Sequence, residues 1–117
     1  MKEIKAYVRV NMIDKVIRTL EGAGVSNMTV IDVKAVWKDL RPEDLLYSLE
    51  LAERSMNVAK LEIVVPDQDV VGIVAIIEQA ARTGRSGDGL IYISEVQDAV
   101  HIRTGARGEE ALKVSGA

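Results

Sequence analysis

The sequence predicts an α+β fold of the ferredoxin-like class, in which an antiparallel sheet carries two helices on one face in the order β-α-β-β-α-β. Three observations support this fold class. Apolar and polar residues alternate near the N-terminus with the period of two that is typical of a half-buried strand. Two later stretches repeat apolar residues at helical spacing, and a β-rich run follows each of them. The chain is therefore expected to form two β-α-β halves joined by a long connection.

The first half of the chain contains a strand, a helix and a second strand. The strand is predicted from four alternating apolar residues, Ile4, Ala6, Val8 and Val10. The helix is predicted from an apolar face with helical spacing, Ile13, Val16, Ile17 and Leu20. Gly22 and Gly24 are expected to end that helix, because glycine readily adopts the backbone conformation that closes a helix. Residues 29–36 are rich in β-formers and are predicted to form the second strand.

The second half repeats this order. Residues 61–65 form a short apolar run that predicts the third strand, which stops at Pro66. Asp67 is expected to cap the N-terminus of the following helix. The inner face of that helix is predicted from apolar residues at helical spacing, Val70, Ile73, Val74 and Ile77. The helix is expected to end near Arg82, and residues 90–94 are predicted to form the fourth strand.

Length and composition limit the functions that the chain can have. It has 117 residues, so residues 1–117 are expected to form a single domain. It contains no cysteine, which excludes disulfide bonds and thiolate metal sites. Its net charge of −3 does not favour nucleic-acid binding, so no nucleic-acid partner is expected. The longest apolar run is far shorter than the roughly 18 residues that span a bilayer, and we expect a cytoplasmic protein.

A stretch rich in glycine and arginine precedes the fourth strand. Residues 81–89 contain Gly84, Gly87 and Gly89, which allow tight turns and a close approach of the backbone to a ligand. Two arginines in the same stretch add positive charge. Successive backbone N–H groups in such a turn form a concave site that favours phosphate. An ordinary turn explains the same bare pattern, so the glycines alone do not decide between a turn and a phosphate site.

The connection between the two halves, residues 36–57, is predicted to be partly helical. It contains no glycine, and Pro42 followed by two acidic residues is typical of a helix start. One face of the helix predicted over residues 42–54 carries three leucines, Leu45, Leu46 and Leu49. Two interpretations of this apolar stripe are open. It packs against this chain or another copy of it, or it is the docking surface for a partner protein.

The most specific signal is the run Ala-Arg-Thr-Gly-x-x-Gly-Asp-Gly at residues 81–89, followed by a hydrophobic strand and by Ile-Arg-Thr-Gly at residues 102–105. With Met-Thr-Val at residues 28–30 and Lys-Leu-Glu-Ile-Val-Val-Pro-Asp at residues 60–67, this pattern resembles the P-II nitrogen-regulatory signal transduction family. The resemblance covers almost the whole chain except residues 35–59. The chain therefore resembles a divergent member whose target-binding loop, the T-loop, is altered.

The resemblance implies a homotrimer that binds an adenine nucleotide, ADP, AMP or ATP, in clefts between its subunits. Carried over by position, Thr29 and Val64 lie near the base and ribose, and Arg103 contacts phosphate. The glycine-rich stretch of residues 81–89 offers backbone groups to the phosphates. The complete set of nucleotide-binding residues implied by the resemblance is Thr29, Lys38, Val64, Gly87, Asp88, Gly89, His101 and Arg103. We expect no metal site and no further cofactor, because a cluster of acidic residues on a helix is usually its solvated face.

Some positions depart from the family pattern. Leu90 stands where the family has a lysine, and His101 stands where it has the first arginine of an Arg-x-Arg pair. Triphosphate contacts are thereby weakened, and we expect ADP or AMP to be favoured over ATP. Asp39 and Val58 replace the glutamine and the lysine of the family's 2-oxoglutarate site. We expect no 2-oxoglutarate binding, because valine cannot pair with a carboxylate and aspartate repels one.

These observations leave several classes of function open. The preferred function is a regulator that senses an adenine nucleotide and acts through residues 36–57 on an unidentified target protein, with a membrane transporter or an efflux system as candidates. The alternatives are a structural trimer with a decayed nucleotide site and an acylphosphatase-like enzyme. Residues 9–12 lack the glycines of an acylphosphatase phosphate loop, and no nucleophile–base pair is recognisable. We therefore expect no enzymatic activity.

Overall fold

The computed structural model describes residues 1–37, 55–113 and 116. Its strands are β1 (Lys2–Arg9), β2 (Thr29–Ala35), β3 (Met56–Val65) and β4 (Gly89–Glu95). Its α-helices are α1 (Ile13–Gly22), α2 (Val70–Ala81) and a short C-terminal α3 (Glu109–Leu112). In the described residues the strands form one four-stranded antiparallel sheet in the order β2-β3-β1-β4. The predicted ferredoxin-like α+β fold is confirmed, and no described helix is long and apolar enough to cross a membrane.

The hydrophobic core lies between one face of the sheet and the two long helices. From β1, Ile4, Ala6 and Val8 face the helices and are at most 2% exposed. Both α1 and α2 bury the inner faces that their sequences predict, with the buried residues Val16, Leu20, Val70, Ile73 and Ile77. Because β1 and β3 lie in the middle of the sheet, their backbones pair on both sides and their apolar residues are deeply buried.

The two long helices, α1 and α2, leave the opposite face of the sheet uncovered, and we call it the open face. Tyr7 packs edge to face on Tyr92 there, with ring centroids 5.8 Å apart, and Lys60 Nζ lies 5.9 Å from the Tyr7 centroid. Ile31, Leu90 and Tyr92 on this face are between 39% and 53% exposed. A small apolar cluster at one end of the face comprises Ala35, Met56 and Val58, with Tyr7, Val33 and Trp37 packed against it. The open face is thus apolar enough to favour contact with another sheet.

The predicted N-terminal cap of the second helix is wrong. A 3-10 turn, Asp67–Asp69, precedes α2, and no side chain caps either element. The Asp67 carboxylate instead binds the amino group of Met1 at 3.0 Å and Lys2 Nζ at 3.2 Å. The hydrogen bond from the chain's amino group, followed by that from Lys2, lowers the pKa of Asp67. The side chain thus ties the start of β1 to the turn before α2.

The third strand is longer than its apolar run. It begins at Met56 instead of Leu61, because β3 continues to pair with β1 and β2 beyond the run. The last two residues of the predicted connection, 36–57, therefore belong to β3. The remaining predictions for this connection, the helix over 42–54 and the sites Lys38, Leu45, Leu46 and Leu49, lie outside the described residues.

Candidate functional site

The glycine loop, residues 83–88, is organised around the carboxylate of Asp88. This carboxylate accepts hydrogen bonds from the backbone N–H groups of Thr83 and Gly84, at 2.8 Å each, and from Thr83 Oγ1. Arg9, the last residue of β1, donates to it through Nε at 3.0 Å. Burial opposes ionisation of Asp88, but the hydrogen bonds from Thr83, Arg9 and Gly84 outweigh it and hold the pKa of Asp88 well below its usual range. The Asp88 side chain therefore closes the loop.

The backbone at the end of the loop has left-handed conformations that favour glycine. Gly87 has a φ of 97° and Gly89 a φ of 115°. A Cβ on Gly89 would overlap the carbonyl oxygen of Tyr7 on β1, so pairing of β4 with β1 requires glycine there. The N–H of Asp88 donates to the carbonyl oxygen of Arg85 at a long 3.3 Å. The sequence predicts that Gly87, Asp88 and Gly89 offer backbone groups to phosphate. Of these groups, the Asp88 N–H already donates this long, weak hydrogen bond within the loop.

The loop borders a small cleft at the β4 edge of the sheet, which we call the β4 cleft. Its volume is about 170 Å³, and its lining includes Tyr7, Ile77, Arg82, Asp88, Gly89 and Leu90. Arg82 is held by an ion pair with Glu78 across one turn of α2. Pockets for ligands the size of a nucleotide usually measure about 300 Å³ or more. The β4 cleft of a single chain is therefore too small to hold a ligand of that size by itself.

A larger cleft lies at the opposite edge of the sheet, and we call it the β2 cleft. Its volume is about 450 Å³, and Thr29, Val64 and His101 all line it. Thr29 pairs with Glu62, which also lines the cleft, so the β2 and β3 residues form one side of it. The segment after β4 forms the other side. The structure thus brings together three of the residues that the sequence assigns to nucleotide binding.

His101 supports the turn that carries Arg103. It is 4% exposed, and its Nδ1 accepts a hydrogen bond from the backbone N–H of Thr104 at 3.3 Å. Its backbone exchanges hydrogen bonds with Gly105 and Ala106 at 2.8 Å each. Its Nε2 is buried and has no hydrogen-bond partner among the described residues. The Arg103 side chain is exposed beside this turn, where a ligand can reach it.

The two clefts lie near opposite ends of β1, which contributes Glu3 to the β2 cleft and Tyr7 and Val8 to the β4 cleft. The strand order places β2 at one edge and β4 at the other. Along β1, Glu3 pairs with Val64 beside the β2 cleft, and Val8 pairs with Gly89 beside the β4 cleft. The rise of an extended strand puts these two positions about 16 Å apart along β1 alone. One chain therefore does not join the glycine loop to Thr29 and Val64.

Arg9 is the residue of this region that the sequence analysis missed as a part of the site. It is 5% exposed, and its Nη2 donates to the carbonyl oxygen of Ser86 at 2.6 Å, in addition to its bond with Asp88. The Ser86 contact joins residues 77 positions apart, so no local pattern could report it. In an acylphosphatase-like enzyme this guanidinium would have to bind the substrate. In this chain the guanidinium of Arg9 instead hydrogen-bonds to the glycine loop.

Comparison with known proteins assigns the chain to a family. The family model described as nitrogen regulatory protein P-II matches residues 1–106. This chain belongs to the P-II family. It is 38% identical over 112 residues to nitrogen regulatory protein P-II 2 of Methanothermobacter thermautotrophicus, a match that covers 96% of this chain and 97% of that protein. It is 34% identical over 112 residues to nitrogen regulatory protein P-II of Rhodobacter capsulatus, covering 96% of this chain and 100% of that protein.

A solved structure agrees with this assignment. The crystal structure of Arabidopsis thaliana PII bound to citrate is similar to this chain with a TM-score of 0.78 and 33% identity, covering 94% of this chain and 90% of that one. The resemblance to the P-II family that the sequence motifs indicate is thus confirmed. P-II proteins are regulatory signal-transduction proteins rather than enzymes. Within residues 1–37 and 55–113, the structure brings together no group of three or more side chains that could hold a metal ion.

Proposed function

We propose that this chain is a P-II regulator that binds an adenine nucleotide at the junctions between subunits of a homotrimer. The observation that carries the proposal is the separation of two half-sites, with the glycine loop at the β4 cleft and Thr29 and Val64 in the β2 cleft. A head-to-tail contact places the β4 edge of one chain against the β2 edge of the next, and such contacts close into rings. P-II proteins are generally homotrimers, which agrees with this arrangement.

In the proposed site, two neighbouring subunits supply different groups to the nucleotide. One subunit supplies the glycine loop, whose backbone N–H groups bind the phosphates. Its neighbour supplies Arg103, whose planar guanidinium binds phosphate bidentately, and Thr29 and Val64, which contact the ribose and base. Leu90 and the buried His101 provide fewer cations than the family pattern has at these positions. ADP and AMP are therefore favoured over ATP.

The open face supports assembly into a trimer. Its exposed apolar residues, Ile31, Leu90 and Tyr92, would be costly to leave in water. In the described sheet, β2 and β4 are the edge strands, and another chain can pair with or cover these edges. Contact between copies of this chain stabilises both features at once.

The site is proposed to function without 2-oxoglutarate. Val58, at the position where the family has a lysine for this ligand, is fully buried between β1 and β2 in the apolar cluster. A buried valine offers no charge to a carboxylate. Asp39, the second replaced position, lies outside the described residues.

The output is proposed to pass through residues 36–57 to a target protein, with Leu45, Leu46 and Leu49 as the contact. The two ends of this segment are anchored in the apolar cluster through Trp37 and Met56. Met56 Sδ lies 3.4 Å from the position of a Cβ on Gly87, so the cluster touches the glycine loop. Phosphate in the loop can therefore influence the base of the segment. A membrane transporter or an efflux system is a candidate target, and the cytoplasm is the proposed location.

Isothermal titration calorimetry with ATP, ADP and AMP tests the proposal. Arg103→Ala is expected to weaken ADP binding about tenfold or more, because it removes a charge-assisted phosphate contact. Arg18→Ala is the matched control. Arg18 is exposed on α1, so this substitution removes the same charge at a position away from both clefts. Addition of 2-oxoglutarate should leave the affinity unchanged. A wild-type protein that gives no heat and no thermal shift with any of the nucleotides would favour the alternative of a structural trimer with a decayed site.

A further inference from the structure

Arg9 is a buried cation whose guanidinium is directed at the glycine loop. Its side chain is 6% exposed and contacts Asp88 Oδ1 through Nε at 3.0 Å and the carbonyl oxygen of Ser86 through Nη2 at 2.6 Å. Burying a guanidinium is costly unless it is paired and hydrogen-bonded. These contacts therefore explain how a charged side chain can be buried at the end of β1, beneath the loop.

The loop backbone lies directly on this guanidinium. A Cβ on Gly87 would be 3.1 Å from Arg9 Nη2, closer than side chains normally pack. The absence of a side chain at Gly87 allows this approach, and its φ of 97° also favours glycine. The loop is thus supported by Arg9 on one side and closed by the Asp88 carboxylate from within.

Asp88 creates an electrostatic difficulty for a loop that binds phosphate. Its side chain is 24% exposed, and a carboxylate so close to the loop amides would repel an incoming anion. Its hydrogen-bond donors are the two backbone N–H groups of Thr83 and Gly84, the Thr83 hydroxyl and the Arg9 guanidinium. Of these donors Arg9 is the one that carries a full positive charge, so it offsets the charge of the carboxylate.

We propose that Arg9 is the positioning residue of the glycine loop, which it holds in the shape that receives phosphate while it neutralises the carboxylate at the loop's centre. This inference rests on the proposed function, because it assigns Arg9 to the phosphate half of that site. Arg9 acts through Asp88 and Ser86 and not by touching the nucleotide. Its effect is therefore confined to ligands that carry phosphate, and it leaves binding of the nucleoside alone unchanged.

The test compares ADP with adenosine by calorimetry. Arg9→Met keeps the length of the side chain but removes its charge and donors, and it is expected to weaken ADP binding about tenfold or more. Adenosine binding is expected to change by less than about twofold, since adenosine has no phosphate. Arg9→Lys should recover part of the loss, because it restores the charge but not the forked geometry. In an Asp88→Asn background Arg9→Met should cost less, because its charged partner has gone.

Hydrogen exchange of the Thr83 and Gly84 amides, measured without nucleotide, provides an independent readout of loop order. Arg9→Met should speed their exchange about tenfold, whereas Arg18→Met on α1 should leave it unchanged. Unchanged ADP affinity, equal losses for ADP and adenosine, or unchanged exchange in Arg9→Met would each overturn the inference. Wild-type protein that binds no nucleotide would instead refute the proposed function and with it the phosphate role of Arg9, and the exchange rates would still decide whether Arg9 orders the loop.

Discussion

The glycines in the loop and at its junction with β4 have different physical roles. Gly89 is needed by the sheet, because a Cβ there would overlap the carbonyl oxygen of Tyr7. Gly87 is needed by the contact with Arg9. Gly84 has a φ of 85°, but open space surrounds the position of its missing Cβ. Glycines that suggest a ligand site can therefore also be needed for packing within the protein itself.

Substituting these glycines should separate the two effects. Gly89→Ala is expected to lower the free energy of unfolding by more than about 3 kcal/mol, because the backbones of β1 and β4 must move apart. Gly84→Ala should cost only about 1–2 kcal/mol, the penalty of a left-handed conformation in open space. Urea unfolding at one fixed protein concentration measures both changes. Equal losses for the two variants would show that Gly89 is not held close to β1.

Leu90 is the position at which we expect a substitution to raise the affinity for phosphate. It is 48% exposed at the start of β4 and lines the β4 cleft, so a lysine there can extend into solvent beside the glycine loop. Leu90→Lys is expected to strengthen ATP binding about tenfold through a charge-assisted contact, with a smaller effect on AMP. Leu90→Met is the matched control for size without charge. Calorimetry that finds equal ATP affinities for the two variants would contradict the placement of phosphate in this cleft.

At the level of secondary structure, periodicity predicts the elements that pack on the core. The inner faces of α1 and α2 are where the sequence places them, and so is the alternation of β1 up to Val8, since burial on one face imposes the period. The prediction is wrong for Val10, which begins a 3-10 turn after β1 and is 48% exposed. The start of β3 and the role of Asp67 are not predictable in this way. Pairing with neighbouring strands extends β3 to Met56, and the chain's amino group attracts Asp67. Both depend on partners that are distant in sequence.

The candidate site shows the same limit. Motif resemblance names Thr29, Val64 and His101, and the structure finds them in one cleft. The motif resemblance does not reveal that the glycine loop lies at the other edge of the sheet, because that separation follows from the strand order. Arg9 is likewise beyond the reach of a motif, since its contacts form only when β1 and the loop meet.

The predicted helix over residues 42–54 is the element assigned to output, and its leucines distinguish two interpretations. Replacing Leu45 and Leu49 by serine should abolish co-purification of a target protein while the melting temperature stays within a few degrees of wild type. The control replaces Glu50 and Arg54, two charged residues of the same segment, by serine. A large fall in melting temperature for the leucine variant alone would show that the stripe packs within the trimer and is not a docking surface.

At the level of the whole molecule, the proposed site requires an assembly. Half of the proposed nucleotide site lies at each edge of the sheet, and the open face carries apolar residues that are exposed in the described part of the chain and that a further chain can cover. A head-to-tail ring satisfies both requirements with one repeated contact. The protein at micromolar concentration should therefore scatter light as three chain masses.

Mixed trimers test whether each nucleotide site is shared by two subunits. Arg103→Ala removes the phosphate clamp, and Gly87→Leu distorts the loop against Arg9, so trimers of either variant alone should bind ADP weakly. When the two variants are unfolded together and reassembled in equal amounts, about one quarter of the junctions should join an intact loop to an intact clamp and regain wild-type affinity. The control mixes the two variants without reassembly, which should restore nothing. Reassembled trimers that regain no tight ADP site would contradict the account, because a site contained within one chain cannot be repaired by its neighbour.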